Sequence, residues 1–155
     1  GKEVLSEKVE NKMTREDYIR EIDEAVAAGN RAMHALDEAD SCIRSARNWG
    51  IFDILGGGML SSFIKHERLG KAQDLVQKAG NELQRFNREL SDIQLQNNVQ
   101  IKCDGLTQAI DIFFDNVLVD VLVQSKIADL QRQMALSKEQ VRSTLAHLEQ
   151  LKREA

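Results

Sequence analysis

Three long runs of apolar or small residues, recurring at alternating steps of three and four, constrain this chain more than any other feature. Such spacing averages about 3.5 residues, the period that keeps one face of a helix against a neighbouring helix over many turns. The runs cover residues 18–46, 69–93 and 127–151. The chain is therefore predicted to form long helices that pack side by side.

The second and third runs are related by an offset of 58 residues, which also pairs Asp53 with Asp111 and Gln73 with Gln131. This pattern predicts an all-α fold, an elongated antiparallel bundle of three or four helices with coiled-coil packing and a pseudo-repeat. The residues of the three runs are Tyr18, Ile22, Ala25, Gly29, Ala32, Leu36, Ala39, Ile43 and Ala46; then Leu69, Ala72, Val76, Ala79, Leu83, Phe86, Leu90 and Ile93; then Ile127, Leu130, Met134, Ser137, Val141, Thr144, Leu148 and Leu151.

Small residues dominate the first run, which indicates that its helix approaches a neighbour closely. Ala25, Gly29 and Ala32 leave room for larger side chains, and Leu83 and Phe86 of the second run are the expected occupants. Because the small residues lie on one face, the sequence favours packing within the chain or a tight dimer over an isolated helix.

Composition narrows the class of protein. The 155 residues include no proline, only 5% aromatic residues and 30% charged residues, with a net charge of -4. Long exposed helices have this composition, and a nucleic-acid partner is not expected without clustered basic residues. Cys42 and Cys103 are expected to be free thiols in the cytoplasm. No stretch reaches the roughly 18 apolar residues that span a bilayer.

Breaks in the pattern divide the chain into a short N-terminal segment, 1–13, and one helical domain, 14–155. Helices are expected over about 14–47, 59–97, 106–123 and 125–153. Thr14, followed by Asp17, resembles a capping box with a shortened acid, and residues 97–105 form a second break. The sequence leaves open whether 106–155 is one bent helix or two, and whether a leader preceded Gly1.

One string in the chain resembles a known group of proteins. Trp49, Asp53 and the glycine triplet 56–58 form a Trp-x3-Asp-x2-Gly-Gly-Gly element, followed by Lys65-His66 and by a second copy that begins at Ile112. The element is similar to an uncharacterised bacterial all-helical, coiled-coil hairpin family, over roughly residues 14–155. The resemblance implies the fold and a bacterial cytoplasmic setting, and it implies no activity.

The two apolar elements, 51–64 and 109–123, hold the candidate interaction or packing site. They are expected either to close one end of the bundle against each other, which the sequence favours, or to expose an anchor for a partner. The glycine triplet is expected to form a close turn rather than a phosphate site, because no strand precedes it. The candidate residues are Trp49, Phe52, Asp53, Gly56, Gly57, Gly58, Phe113, Phe114 and Asp115.

No catalytic, cofactor-binding or metal-binding residues are assigned. Asp53, Asp111 and Asp115 are expected to cap helices or face water, although they lie in apolar elements where burial would raise the pKa of a carboxyl. His34 has Asp37 and Glu38 at helical ligand spacing, but an acidic helix produces such pairs by chance.

The sequence therefore favours a non-enzymatic protein-interaction or scaffolding module that self-associates through helix seams. Its expected partner is another protein or a second copy of the chain, as a homodimer. The first alternative is a peripheral membrane or envelope-associated protein that docks 51–64 and 109–123 on lipid, which Asp111, Asp115 and Asp120 disfavour. The second alternative is a bundle that binds a small ligand or a metal.

Overall fold

The computed structural model describes residues 14–48, 59–101, 104–114 and 127–155, without the side chains of 46–48, 59–70, 72, 104, 112–114 and 127–129. The described residues form four α-helices and no strand: α1 (Arg15–Asn48), α2 (Met59–Asn97), α3 (Asp104–Phe114) and α4 (Ile127–Glu154). The predicted all-α helical bundle is therefore confirmed. With 34 and 39 residues, α1 and α2 are about 50 and 60 Å long, so the bundle is elongated.

Helix α1 begins at a capped end. The Asp17 backbone N–H donates to Thr14 Oγ1 at 3.1 Å, and the Tyr18 N–H donates to the Thr14 carbonyl at 3.0 Å. The hydrogen bond with Thr14 holds the pKa of Asp17 below its ordinary value, and the Asp17 carboxylate lies where the helix dipole favours negative charge. Thr14 therefore acts as the N-cap.

Helix α2 runs antiparallel to α1. Arg31 Nε lies 3.9 Å from Glu82 Oε2, while Lys78 Nζ lies 4.0 Å from Glu38 Oε2. Later residues of α1 thus meet earlier residues of α2. The contact continues to the far end of the pair, where Asn97 is a hydrogen-bond partner of α1.

Helix α4 is also antiparallel to α1, on its other flank. Lys138 Nζ lies 2.8 Å from Asp37 Oδ1, and Lys152 Nζ lies 2.8 Å from Asp23 Oδ1. Because α2 and α4 both run opposite to α1, they run in the same direction as each other. Lys78 of α2 contacts Glu38, and Lys138 of α4 contacts the adjacent Asp37. The 58-residue offset pairs Lys78 with Leu136, two residues before Lys138. Residues related by the offset therefore lie at similar heights along α1.

Helix α3 completes a ring in which α1 contacts α2 and α4, and α3 contacts the same two helices. It buries Leu106, Ala109 and Ile110. It begins at Asp104, two residues before the expected start, so Gly105 is helical and lies against the Gln140 side chain of α4. Residues 115–126 lie outside the described residues, which leaves the expected extent of 106–123 a prediction.

The core is built from the three runs. Every member whose side chain is described is buried except Tyr18 and Leu151, which are half-buried. Gly29 marks a close approach of three helices, because a Cβ placed there would lie 2.6 Å from Leu145 Cδ2 and 3.0 Å from Phe86 Cε1. The small face of α1 therefore receives large side chains from both α2 and α4.

The chain leaves α2 through a left-handed residue. Asn98 has a φ of 52°, a conformation that asparagine tolerates better than most residues after a helix end. The Asn97 side chain donates to the Ile93 carbonyl at 3.0 Å, and the Ile101 N–H donates to Gln94 Oε1 at 3.0 Å. These bonds satisfy backbone groups at the turn and direct Ile101 into the core.

Candidate functional site

The candidate site residues fall at the limits of the described chain. Trp49, Phe52, Asp53, the glycines 56–58 and Asp115 lie outside the described residues. Phe113 and Phe114 end α3, but their side chains are not described. Packing of the two apolar elements against each other therefore stays a prediction.

Helix polarity nevertheless brings three described helix ends together. Because α2 and α4 run antiparallel to α1, the last residue of α1 and the first residues of α2 and α4 lie at the same end of the bundle. We call this end the junction end. The chain leaves α1 for 49–58 and enters α2 there, and it enters α4 there from 115–126.

A charged cluster on the α1–α4 boundary, absent from the sequence predictions, consists of Asp37, Asp40, Arg44 and Lys138. We call it the Lys138 network. Lys138 Nζ contacts Asp37 Oδ1 at 2.8 Å and Asp40 Oδ2 at 3.1 Å, and Arg44 also pairs with Asp40. The Lys138 and Asp40 side chains are only 14% and 9% exposed. The network thus places a buried carboxylate between two cations.

Electrostatics explain why Lys138 keeps its charge in a partly buried position. Burial by itself would lower the pKa of Lys138, but the hydrogen bonds to Asp37 and Asp40 outweigh it and leave the pKa above its ordinary value. Lys138 is therefore protonated at neutral pH and unsuited to act as a base. A sequence signal existed: Asp40 lies four residues after Leu36 and three before Ile43, on the buried side of α1.

A second polar cluster joins α1 to the end of α2 around Glu21. Asn97 Nδ2 donates to Glu21 Oε2 at 3.4 Å, and the Gln96 amide, with its nitrogen turned toward Glu21, donates to the same oxygen at 3.2 Å. Burial raises the pKa of Glu21, Asn97 lowers it, and the nearby carboxylates of Glu24 and Asp92 raise it again, so the balance is upward. An ionised Glu21 therefore opposes folding.

Replacing Glu21 with glutamine is expected to stabilise the fold at neutral pH, by roughly 0.5 kcal/mol, the scale of single surface changes. The folded pKa of Glu21 is raised, so the folded chain binds more protons than the unfolded chain as the pH falls through that pKa. The Glu21 contribution to stability is thus gained on acidification and is complete below the ordinary pKa of the group.

Urea unfolding at several pH values checks this. Glu21→Gln should remove the stability that Glu21 gains on acidification, so the advantage of the variant at neutral pH should shrink as the pH falls and its pH slope should differ from that of the wild-type chain. Glu149→Gln, a change of the same charge at an exposed position of α4, is the control. A variant that keeps the wild-type slope would contradict the assignment.

The residues considered for a metal site around His34 are instead partners in ion pairs. His34 Nε2 lies 2.6 Å from Glu38 Oε1, Glu38 also faces Lys78, and Asp37 belongs to the Lys138 network. Within the described part of the chain, no group of three His, Cys, Asp or Glu residues is placed to hold a metal ion.

The structure also describes Asp111 and Cys42, two residues for which the sequence made predictions. Asp111 is exposed on α3, as expected, and Cys42 is a half-buried free thiol; Cys103 lies outside the described residues. Over the same residues, no helix combines the length and apolarity needed to cross a lipid bilayer.

The fold and its clusters define a protein of the all-α helical-bundle class. Comparison with protein-family models, with curated proteins and with solved structures finds no match for this chain. The resemblance carried by the Trp-x3-Asp-x2-Gly-Gly-Gly element stays a prediction.

Proposed function

We propose that this chain is a non-enzymatic protein-interaction or scaffolding module that associates with a second copy of itself at the junction end. The observation that supports the proposal is the helix polarity, which brings the last residue of α1 and the first residues of α2 and α4 to one end of an elongated bundle. The chain positions next to residues 49–58 and 115–126 therefore lie at that end. A cytoplasmic setting belongs to the proposal, because the half-buried thiol of Cys42 is free.

The helix seams are a less suitable surface for self-association. The described seam residues already pack inside the chain, and among described side chains the exposed large hydrophobics are Leu95 and Leu136, on different helices. Single exposed leucines are ordinary on protein surfaces. The segments from Trp49 to Leu55 and from Val117 to Val123 contain many more large apolar residues than these two leucines, and the proposal assigns the contact with a partner to them.

Sedimentation velocity tests the proposal. We expect the intact chain of 17.5 kDa to sediment as a dimer, and Trp49→Glu to weaken the dimer about 30-fold, the effect of losing an interface anchor worth about 2 kcal/mol. Leu95→Glu is the matched control: Leu95 is 84% exposed and lies near the opposite end of the bundle.

A strict monomer at high concentration would overturn self-association. Equal weakening by both variants would overturn the assignment to the junction end. Circular dichroism of each variant shows whether the helices remain. Pelleting with vesicles of phosphatidylcholine and phosphatidylglycerol, together with a monomer in their absence, would instead favour a membrane-surface protein.

A further inference from the structure

Helices α2 and α4 pack against α1 through similar sets of apolar residues. The handedness of the bundle, that is, which of the two helices lies on which flank of α1, must therefore be determined by something else. Both run antiparallel to α1, and the residues related by the 58-residue offset reach similar heights on it. A bundle of this kind can be built in two ways, with α2 and α4 on either flank of α1. Apolar patterning alone is compatible with both arrangements, so something else must select between them.

The shape of the α1 surface that faces both helices distinguishes α2 from α4 only weakly. Most of its residues are small, with Ala25, Ala28, Gly29, Ala32 and Ala39 all buried beside the larger Ile22, Leu36 and Ile43. Gly29 receives Phe86 from α2 and Leu145 from α4 at similar distances. An alanine-rich surface offers few pockets that fit one helix and reject the other.

Charges distinguish the two flanks more sharply. If α2 and α4 exchanged flanks while keeping their heights, the 58-residue offset would place Gly80 where Lys138 lies and Gln94 where Lys152 lies. Asp40 and Asp23 would lose their lysine partners.

The other flank would lose its pairing too. Leu136 would replace Lys78 opposite Glu38, and Gln140 would replace Glu82 opposite Arg31. The exchange therefore removes the ion pairs that link α1 to both helices among the described residues.

These losses are unequal. The cations of the other pairs, Lys152, Lys78 and Arg31, are each 40% exposed or more, and pairs made by exposed cations contribute little because water and salt screen them. Glu82 is itself 19% exposed, but it lies 3.9 Å from Arg31 Nε, at the outer limit of an ion pair. Asp40 is 9% exposed and Lys138 is 14% exposed. In the exchanged arrangement Asp40 would keep only Arg44, whose side chain is 63% exposed. Removing one partner of a buried ion pair is costly, so the loss of Lys138 penalises the exchanged arrangement most.

We propose that the Lys138 network is the device that assigns α4, and not α2, to its flank of α1 and thereby sets the handedness of the bundle. Lys138 recognises Asp37 and Asp40 together, and Gly80 cannot replace it. Buried polar pairs specify helix register and partner in the same way in coiled coils.

Cross-linking measures the arrangement directly. In a Cys42→Ser, Cys103→Ser background, Asp23→Cys with Lys152→Cys reports the observed arrangement, and Glu38→Cys with Leu136→Cys reports the exchanged one. Each reporter is treated with a short bifunctional maleimide at low protein concentration, and the cross-linked fraction is compared between backgrounds.

The decisive variant replaces the pair with apolar residues, Asp40→Leu with Lys138→Met, because such replacements keep helical bundles folded. We expect the ratio of exchanged to observed product to rise about tenfold. Arg142→Met is the matched control, since it removes an exposed positive charge from the same helix, and it should leave the ratio at the wild-type value.

An unchanged ratio in a variant that remains helical by circular dichroism would overturn the proposal and assign the choice of flank to core shape or to the connecting segments. Lys138→Met alone provides a second measurement. It should reduce stability more than the double replacement does, because it leaves Asp40 with only Arg44; the opposite order would also count against the proposal.

Discussion

Replacing Phe86 with alanine is expected to lower the free energy of unfolding by about 4 kcal/mol, the usual cost of removing a buried aromatic ring. Phe86 is fully buried, and among the side chains that the structure describes it is the largest one that is fully buried. Its ring lies against Gly29, with Cε1 and Cζ each 3.0 Å from the position of a Cβ there. Backbone cannot close the resulting cavity easily, because α1 is already held from its other flank by α4.

Urea denaturation followed by far-ultraviolet circular dichroism measures this change. Leu95→Ala is the control on the same helix, since its side chain is 84% exposed, and its effect should stay within about 0.5 kcal/mol. A loss below about 1.5 kcal/mol for Phe86→Ala would mean that the contact among α1, α2 and α4 is looser than described.

Replacing Gly29 with valine is expected to destabilise the bundle by about 3 kcal/mol, even though glycine is a poor helix former. The first added carbon would lie 2.6 Å from Leu145 Cδ2 and 3.0 Å from Phe86. Leu145 can turn away in part because it is half-buried, but Phe86 is fully enclosed. The helices must therefore separate, and their seam contacts weaken.

The same denaturation experiment applies, with Ala27→Val as the control at an exposed position of α1, where only the propensity cost of about 0.6 kcal/mol is expected. A double-mutant cycle between Gly29→Ala and Leu145→Ala should show favourable coupling, because the second change removes the atom that the first one meets. If the two changes in unfolding free energy were simply additive, the close contact between Gly29 and Leu145 would be contradicted.

These two residues also show how far sequence reasoning reaches. The spacing of the runs predicted which side chains turn inward, and the small face of the first helix predicted close approach by Phe86. Both inferences depend on local properties, since helical period and residue volume are determined by neighbours a few positions away. Thr14 is another local case, because a helix start needs only one side chain to accept an N–H bond.

The sequence was less informative about charge. Asp40 stands out as an acid on the buried side of its helix, but its partner Lys138 lies 98 residues away and is not unusual in its own helix. Their burial follows from which helices become neighbours, and that choice depends on the summed packing of all four helices. Gly105 is similar: it was assigned to a break, yet it lies within α3, where its missing side chain admits Gln140.

By itself, then, the amino-acid sequence determined the helical class, the inward faces and the helix start at Thr14, because these depend on interactions within a few turns. The tertiary structure alone decided that α2 and α4 lie on opposite flanks of α1 in the same direction, that Lys138 lies half-buried between Asp37 and Asp40, and that α1 ends where α2 and α4 begin. Such features arise from contacts between residues far apart in the chain, whose energies are small individually and select a fold only together.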